Sequence, residues 1–427
     1  MMTTELRAEE LELARFIRPG DTVVWAQGAA EPLTLSETLV AQRHAIGPIT
    51  LFLGPGYSET LQPEHADRLT FLGMSAVGTR RRLVDAGVLR LIPCQLSDVE
   101  SLFDSGILKS DVVLLHLSPP AESGGEYSMG LVNDYLKIAM RRARTVIAQV
   151  NDRLPWTYAD EPLDMKRVDY VVRSSRPPLE HATREPSEVD KKIAQTVAGL
   201  VPDGAVIQMG IGAMPSAILD ALHGHRRLGL HSGMVSDAVV DLIKSGAVTN
   251  ETKPFDRGVS VTGTLLGTCK LYDFAHRNRA LRLVPLSVTH NVELLARIDA
   301  FVSLNSAIEV DLSGQVNAEV AGGVYIGAVG GQVDYVRAAR RSRGGKSVIA
   351  LPATARGNRV SRIVASLNDP VVTTARSDVD IVVTEYGAAH LRGVSLDERA
   401  RRLIAIAHPD FREPLERRAR ATFGPIY

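Results

Sequence analysis

Cysteine is almost missing from this sequence: Cys94 and Cys269 are the only two in 427 residues, in no Cys-x-x-Cys or Cys/His arrangement. That excludes a disulfide framework and a zinc signature, and it fits the reducing cytoplasm. Net charge is missing too, with 49 Lys and Arg against 49 Asp and Glu. No whole-molecule field therefore draws in nucleic acid or an anionic membrane, although a local basic patch for a phosphorylated ligand remains open. No apolar run approaches the roughly 18 residues of a membrane span. The polar start Met1-Met2-Thr3-Thr4-Glu5 has neither the basic nor the apolar region of an export signal. The expectation is a cytoplasmic protein with no membrane, nucleic-acid or metal partner.

What is present is ordinary globular material, 45% hydrophobic and 23% charged. The chain is too long for one comfortable core and fits two domains of about 200 residues. The sequence also repeats itself. Pro19–Leu39 aligns without a gap on Pro202–Leu222, placing Val23 on Val206, Val24 on Ile207 and Pro32 on Pro215. Further matches keep the same order. The run from Asp111 pairs with that from Asp299, Thr145-Val-Ile-Ala with Ser347-Val-Ile-Ala, and Val168-Asp-Tyr-Val-Val with Val379-Asp-Ile-Val-Val; Ser123-Gly124 corresponds to Ser313-Gly314. Collinear matches with a lengthening offset point to an internal duplication with longer loops in the second copy. Short apolar runs ending in Gly or Pro turns and leading into amphipathic helices give the βαβ rhythm of an open parallel sheet. The fold expected is α/β: two similar open parallel-sheet domains, 1–185 and 190–427, joined by the Pro-, Ser- and charge-rich stretch Arg173–Glu188. Ser395 and Glu398 read as a capping box for a helix whose apolar face is Leu396, Ala400, Leu403, Ile404 and Ala407, stopped by Pro409.

Ligands of such sheets bind beyond the carboxyl ends of the strands. There the second copy has Gly210-Ile211-Gly212, which lacks the third glycine of a dinucleotide fingerprint. A second Gly-rich segment, from Gly322-Gly323 through Gly327 to Gly330-Gly331, holds five glycines in ten residues. Packing alone explains that density poorly, so it reads as a backbone site for a carbonyl oxygen or a phosphate.

GGQVDYVRAARRSRGGKSVIALPATA from Gly330 and DVDIVVTEYGAAHLRGVSLDERARRLIAIAHPDFR from Asp378 closely resemble the 4-hydroxybutyrate and acetate CoA-transferases of the acetyl-CoA hydrolase/CoA-transferase family. AEPLTL near Glu31, SPPAESGGEYSMGLVNDY from Ser118, AQVNDRLPWTY from Ala148, GIGAMPSAIL from Gly210 and GTCKLYDFAHRN from Gly267 extend the likeness over nearly the whole chain. The resemblance implies two similar α/β domains, an acyl-CoA substrate with coenzyme A as its substrate moiety, no permanently bound cofactor, and a homodimer. It also implies covalent catalysis by an active-site glutamate. The oxyanion-hole amides would be those of Ile211 and of Gly330 or Gly331; Asn291 sits where the family contacts CoA, with the backbone of Gly210, Gly212 and Gly327 nearby. Glu385 stands at the family's second glutamate.

One departure alters that chemistry. Where the family reads His-Ser-Glu-Met, this chain reads His231-Ser232-Gly233-Met234, with flanks that align without a gap. Glycine cannot form an anhydride or a glutamyl thioester. The expectation is an empty space at Gly233 suited to water or a larger acyl group, with Glu385 first, Glu31 second and His231 third as the base for water. Hydrolysis of a thioester or of an acyl-CoA C–C bond leads. CoA transfer and a non-catalytic CoA-binding protein are the alternatives. A glutamate restored at 233 is expected to fill that space, held imperfectly, so that it brings back part of the transfer activity and suppresses hydrolysis.

Overall fold

The computed structural model describes residues 3–120, 122 and 125–424, so Ser123-Gly124 lies outside the described residues. Two compact units form: the first runs to Ala182 and includes Val261–Thr289, the second comprises Thr183–Ser260 and His290 onward. The first crossing falls inside the expected linker. The return of 261–289 to the first unit departs from a simple division at 185–190. The linker is also shorter at both ends, because a strand reaches Ser174 and a helix opens at Glu188 behind a cap in which the Ser187 and Asp190 side chains accept each other's N–H.

In the first unit the sheet strands are Thr4–Leu6 (β1), Thr22–Trp25 (β2), Ile49–Leu53 (β3), Leu69–Gly73 (β4), Leu89–Leu91 (β5), Val112–Leu117 (β6), Thr145–Asn151 (β7) and Tyr170–Ser174 (β8). They run parallel in the order β1-β8-β7-β6-β2-β3-β4-β5. Every residue of β2, β6 and β7 is buried. Strands covered on both faces have no polar alternation to keep, which is why they carry apolar runs such as Val-Val in β2, Val-Val-Leu-Leu in β6 and Val-Ile-Ala in β7. Val23, Trp25, Leu51, Phe71, Leu114, Ile147 and Val172 form the core.

The second unit has Val206–Met209 (β9), Gly229–Leu230 (β10), Phe301–Ser306 (β11), Lys346–Ala350 (β12), Ile381–Thr384 (β13) and Gly387–His390 (β14), in the order β10-β9-β11-β12-β13-β14. All pairs are parallel except β13 with β14, a hairpin whose two-residue turn is Glu385-Tyr386. The duplication is visible as topology. β3-β2-β6-β7-β8 in one unit and β10-β9-β11-β12-β13 in the other occupy the same places, and the four sequence-matched runs fall on corresponding strands. The helix Leu396–Ala405 buries Ala400, Leu403 and Ile404 as its spacing requires, but Leu396 is exposed and the capping box does not form. The Ser395 hydroxyl is taken by Asp397, and Glu398 turns instead to Arg402, 2.7 Å away, and to Arg401. Pro409 opens the next helix, Pro409–Phe423. Among the described residues, no helix is long and apolar enough to cross a membrane.

Candidate active site

In the second unit the chain leaves β9 for β10 on one side and later for β11 on the other. The carboxyl end of β9 is therefore a topological switch point, where loops diverge and leave a crevice. Gly210-Ile211-Gly212 follows β9 there and leads into the helix Ala213–Ala221, with Gly212 as its N-cap at φ +112°. Gly331 likewise caps the helix Gln332–Arg341. Two helix amino ends thus carry the glycine turns singled out from sequence, each favouring negative charge.

The loop after β10 brings Gly233 to the same end of the sheet. Ser232 Oγ lies 2.9 Å from the carbonyls of both Met209 and Met234, clamping the loop to β9. The expected space at Gly233 is not empty. A Cβ there would stand 2.6 Å from Cε1 and 2.9 Å from Nε2 of His290, and 2.8 Å from the Tyr335 hydroxyl oxygen. A Cβ at Gly331 would run into the same imidazole. The ring of His290 is therefore wedged between two glycines that only their missing side chains make possible, with Tyr335 4.7 Å away centre to centre. His290 is 3% exposed, and burial pushes its pKa down to about 3, so the ring is neutral. A glutamate at 233 fits only if His290 moves.

The Gly-rich segment also receives a more local explanation. Val320–Ala321 and Val324–Tyr325 pair as a hairpin across Gly322-Gly323, with φ +61° and +77°. Positive φ at both positions is what a tight two-residue turn demands. The two turn amides donate to Asp369 at 3.0 and 2.8 Å. Gly327 passes against the Ala318 carbonyl and its N–H donates to the Glu319 carbonyl at 3.0 Å, which commits the amide internally. Gly330 and Gly331 remain the helix-end pair.

Glu385, half-buried in the β13–β14 turn, accepts the Ala353 N–H at 2.8 Å. Burial presses the Arg362 guanidinium below its ordinary pKa, and Glu385 and Asp190 pull it back. Arg362 also lines a pocket of about 610 Å3 with Ile326, Arg356, Ser361, Asn368 and Asp369. Asn291 is the N-cap of the helix Val292–Ala296, its Oδ1 accepting from Glu293 N and Leu294 N at 3.1 and 2.9 Å. His231 is fully buried, its ring edge-on to Phe255.

Glu31 belongs to the first unit and has a structural role there. It is 1% exposed, accepts from Ser36 Oγ at 2.7 Å and Ser58 Oγ at 2.6 Å, and lies 3.4 Å from Arg80 Nη2. Both carboxylate oxygens balance a buried cation and two hydroxyls, so neither is placed to take a proton from water. His290, Tyr335 and Arg362 were missed from sequence. The signal for His290 was its place beside Asn291; for Tyr335, its place in GGQVDY.

The acetyl-CoA hydrolase/transferase N-terminal domain description matches residues 4–179 and the C-terminal domain description residues 267–419. The 4-hydroxybutyrate coenzyme A transferase of Clostridium kluyveri is 40% identical over 92% of this chain and 92% of its own length. The crystal structure of RipA from Yersinia pestis superposes with a TM-score of 0.91 at 32% identity, covering 98% of this chain and 97% of that one. A 4-hydroxybutyrate CoA-transferase structure from Porphyromonas gingivalis gives 0.83 at 33% identity over 98% and 97%.

Proposed function

The chain belongs to the acetyl-CoA hydrolase/transferase family, and from that premise we propose that it cleaves an acyl-CoA thioester with water, without a glutamyl-CoA intermediate. The observation that carries the reading is position 233, which offers neither a carboxylate nor room for one beside His290 and Tyr335. The substrate carbonyl would sit at the switch point, its oxygen receiving the amides of Ile211 and of Gly330 or Gly331 as charge develops. Glu385 takes a proton from water while the water oxygen attacks the carbonyl carbon. The tetrahedral intermediate then collapses, the C–S bond breaks, and the CoA sulfur leaves with that proton. The half-buried Arg362, which interacts with Glu385 and lines the pocket of about 610 Å3, suits the negative charge of CoA phosphates. Likeness along the whole length to a CoA transferase supports a second reading, transfer of CoA directly between carboxylic acids.

The two readings separate in one assay. Acyl-CoA incubated with the protein, followed by free-thiol detection, should release CoA without acetate or succinate, and Glu385→Gln should slow that release by about a hundredfold or more. CoA that appears only as a new thioester when an acceptor is added would overturn hydrolysis.

A further inference from the structure

We propose that the second unit carries a separate binding site for a compact polyanion of the polyphosphate type, at the amino ends of its strands. A pocket of about 390 Å3 is lined there by Arg337, Arg340, Arg341, Ser377, Asp378 and Arg392. The three helical arginines occupy the carboxyl half of Gln332–Arg341. Ser377 and Asp378 lie just before β13. Arg392 lies just past β14, which runs antiparallel, Ile381 pairing with His390, so its end returns to the start of β13. The site is therefore at the opposite end of the sheet from Glu385, and Arg340 is about 13 Å along the helix from Gly331.

Four guanidiniums face the single carboxylate of Asp378, which is 3.1 Å from Arg337 Nε and 3.5 Å from Arg340 Nη1. Arg340 also donates to the Ser377 carbonyl, and Arg392 to the Arg340 carbonyl at 3.4 Å. Behind them Arg399 donates to the Arg376 carbonyl at 2.7 Å and the Ser313 carbonyl at 3.1 Å. Burial, with the like charges of Arg340 and Arg376, lowers the pKa of Arg399. The helix macrodipole accounts for cations in the last turn, Arg340 and Arg341, but its effect fades by Arg337 and does not reach Arg392. Four guanidiniums against one carboxylate leave the cavity net positive, and guanidinium forks match pairs of phosphate oxygens. No aromatic or apolar side chain is among the lining residues, so the pocket offers no platform for a base or an acyl chain.

Calorimetric titration of the full chain with pyrophosphate at low salt should give one saturable site whose affinity falls as salt is added. Arg341 and Arg392 are both exposed and neither is paired with Asp378 in the structure. The double variant Arg341→Gln/Arg392→Gln should therefore keep its thermal midpoint and thioester cleavage while binding pyrophosphate at least about tenfold more weakly. Absence of saturable binding, or equal affinity in the variant, would refute the site. Saturating CoA should leave the pyrophosphate affinity unchanged. Competition between them would put CoA's own phosphates in this pocket and end the claim of a separate site.

Discussion

Gly233 and Gly331 lie far apart in sequence, yet one imidazole touches both, and that contact is what linear order could not reveal. Reading the motif against the family leads one to expect a carboxylate where Gly233 stands, because the flanks match without a gap. It could not say what stands beside that glycine, since His290 arrives from another loop. The same limit explains Glu31, whose partners Ser58 and Arg80 come from different strand-end loops. Gly233→Glu alone should therefore destabilise the protein by about 1–3 kcal/mol through overpacking and yield no CoA transfer. Adding His290→Ala should recover most of that loss and give measurable transfer to a small carboxylic acid. Denaturant midpoints and an acceptor-dependent thioester assay check both statements. A single variant as stable as the parent would mean that His290 yields easily and does not define the site.

Strands were the most legible elements, because burial on both faces writes itself as unbroken runs such as Val-Val-Leu-Leu in β6, and repeated runs exposed the repeated topology. Local polar choices were less legible. Ser395 binds the Asp397 side chain and does not cap its helix, while Asn291, read as a ligand contact, also serves as a helix cap. The two roles of Asn291 can be separated, because a carboxylate caps as an amide oxygen does but lacks the amide donor. Asn291→Ala should cost about 0.5–2 kcal/mol of stability, whereas Asn291→Asp should cost little. If the amide also donates to CoA, calorimetry should find weaker CoA binding in both variants. Unchanged affinity in Asn291→Asp would remove this residue from the site.

The two units should respond differently to acid. Burial lowers His116 in the first unit to about 4 and His290 in the second to about 3, from 6.5, while it raises Asp134 in the first unit to about 7, from 3.8. Between pH 4 and 6.5 the unfolded chain takes up a proton at each histidine that the folded chain refuses, so their stabilisation is full above 6.5 and is lost as pH falls. Asp134 has the opposite sign, since the folded chain keeps a proton there that the unfolded chain releases above pH 3.8. In the first unit the raised Asp134 and Glu100 oppose His116, His65 and His181, which burial lowers, so the net slope there is smaller. His290 stands uncompensated in the second, which should lose up to about 1.4 kcal/mol per pH unit across this window. Trp25 and Trp156, the only tryptophans, both belong to the first unit. Acidification should thus lower the denaturation midpoint seen by circular dichroism before the one seen by tryptophan fluorescence, and a parallel fall of both would contradict the assignment. Domain number was legible from length and repetition, but domain membership was not, because nothing in GTCKLYDFAHRN announces that it serves the earlier unit. That excursion, Val261–Thr289, also sets an order of birth. On a ribosome, the first unit cannot close until residue 289 has been translated, by which time the start of the second unit, Thr183–Ser260, is already made. The nascent chain must hold the earlier unit unfinished through that interval, with the surface around Glu100, Leu131, Asn133 and Tyr158 that the excursion later covers exposed to whatever chaperones attend it.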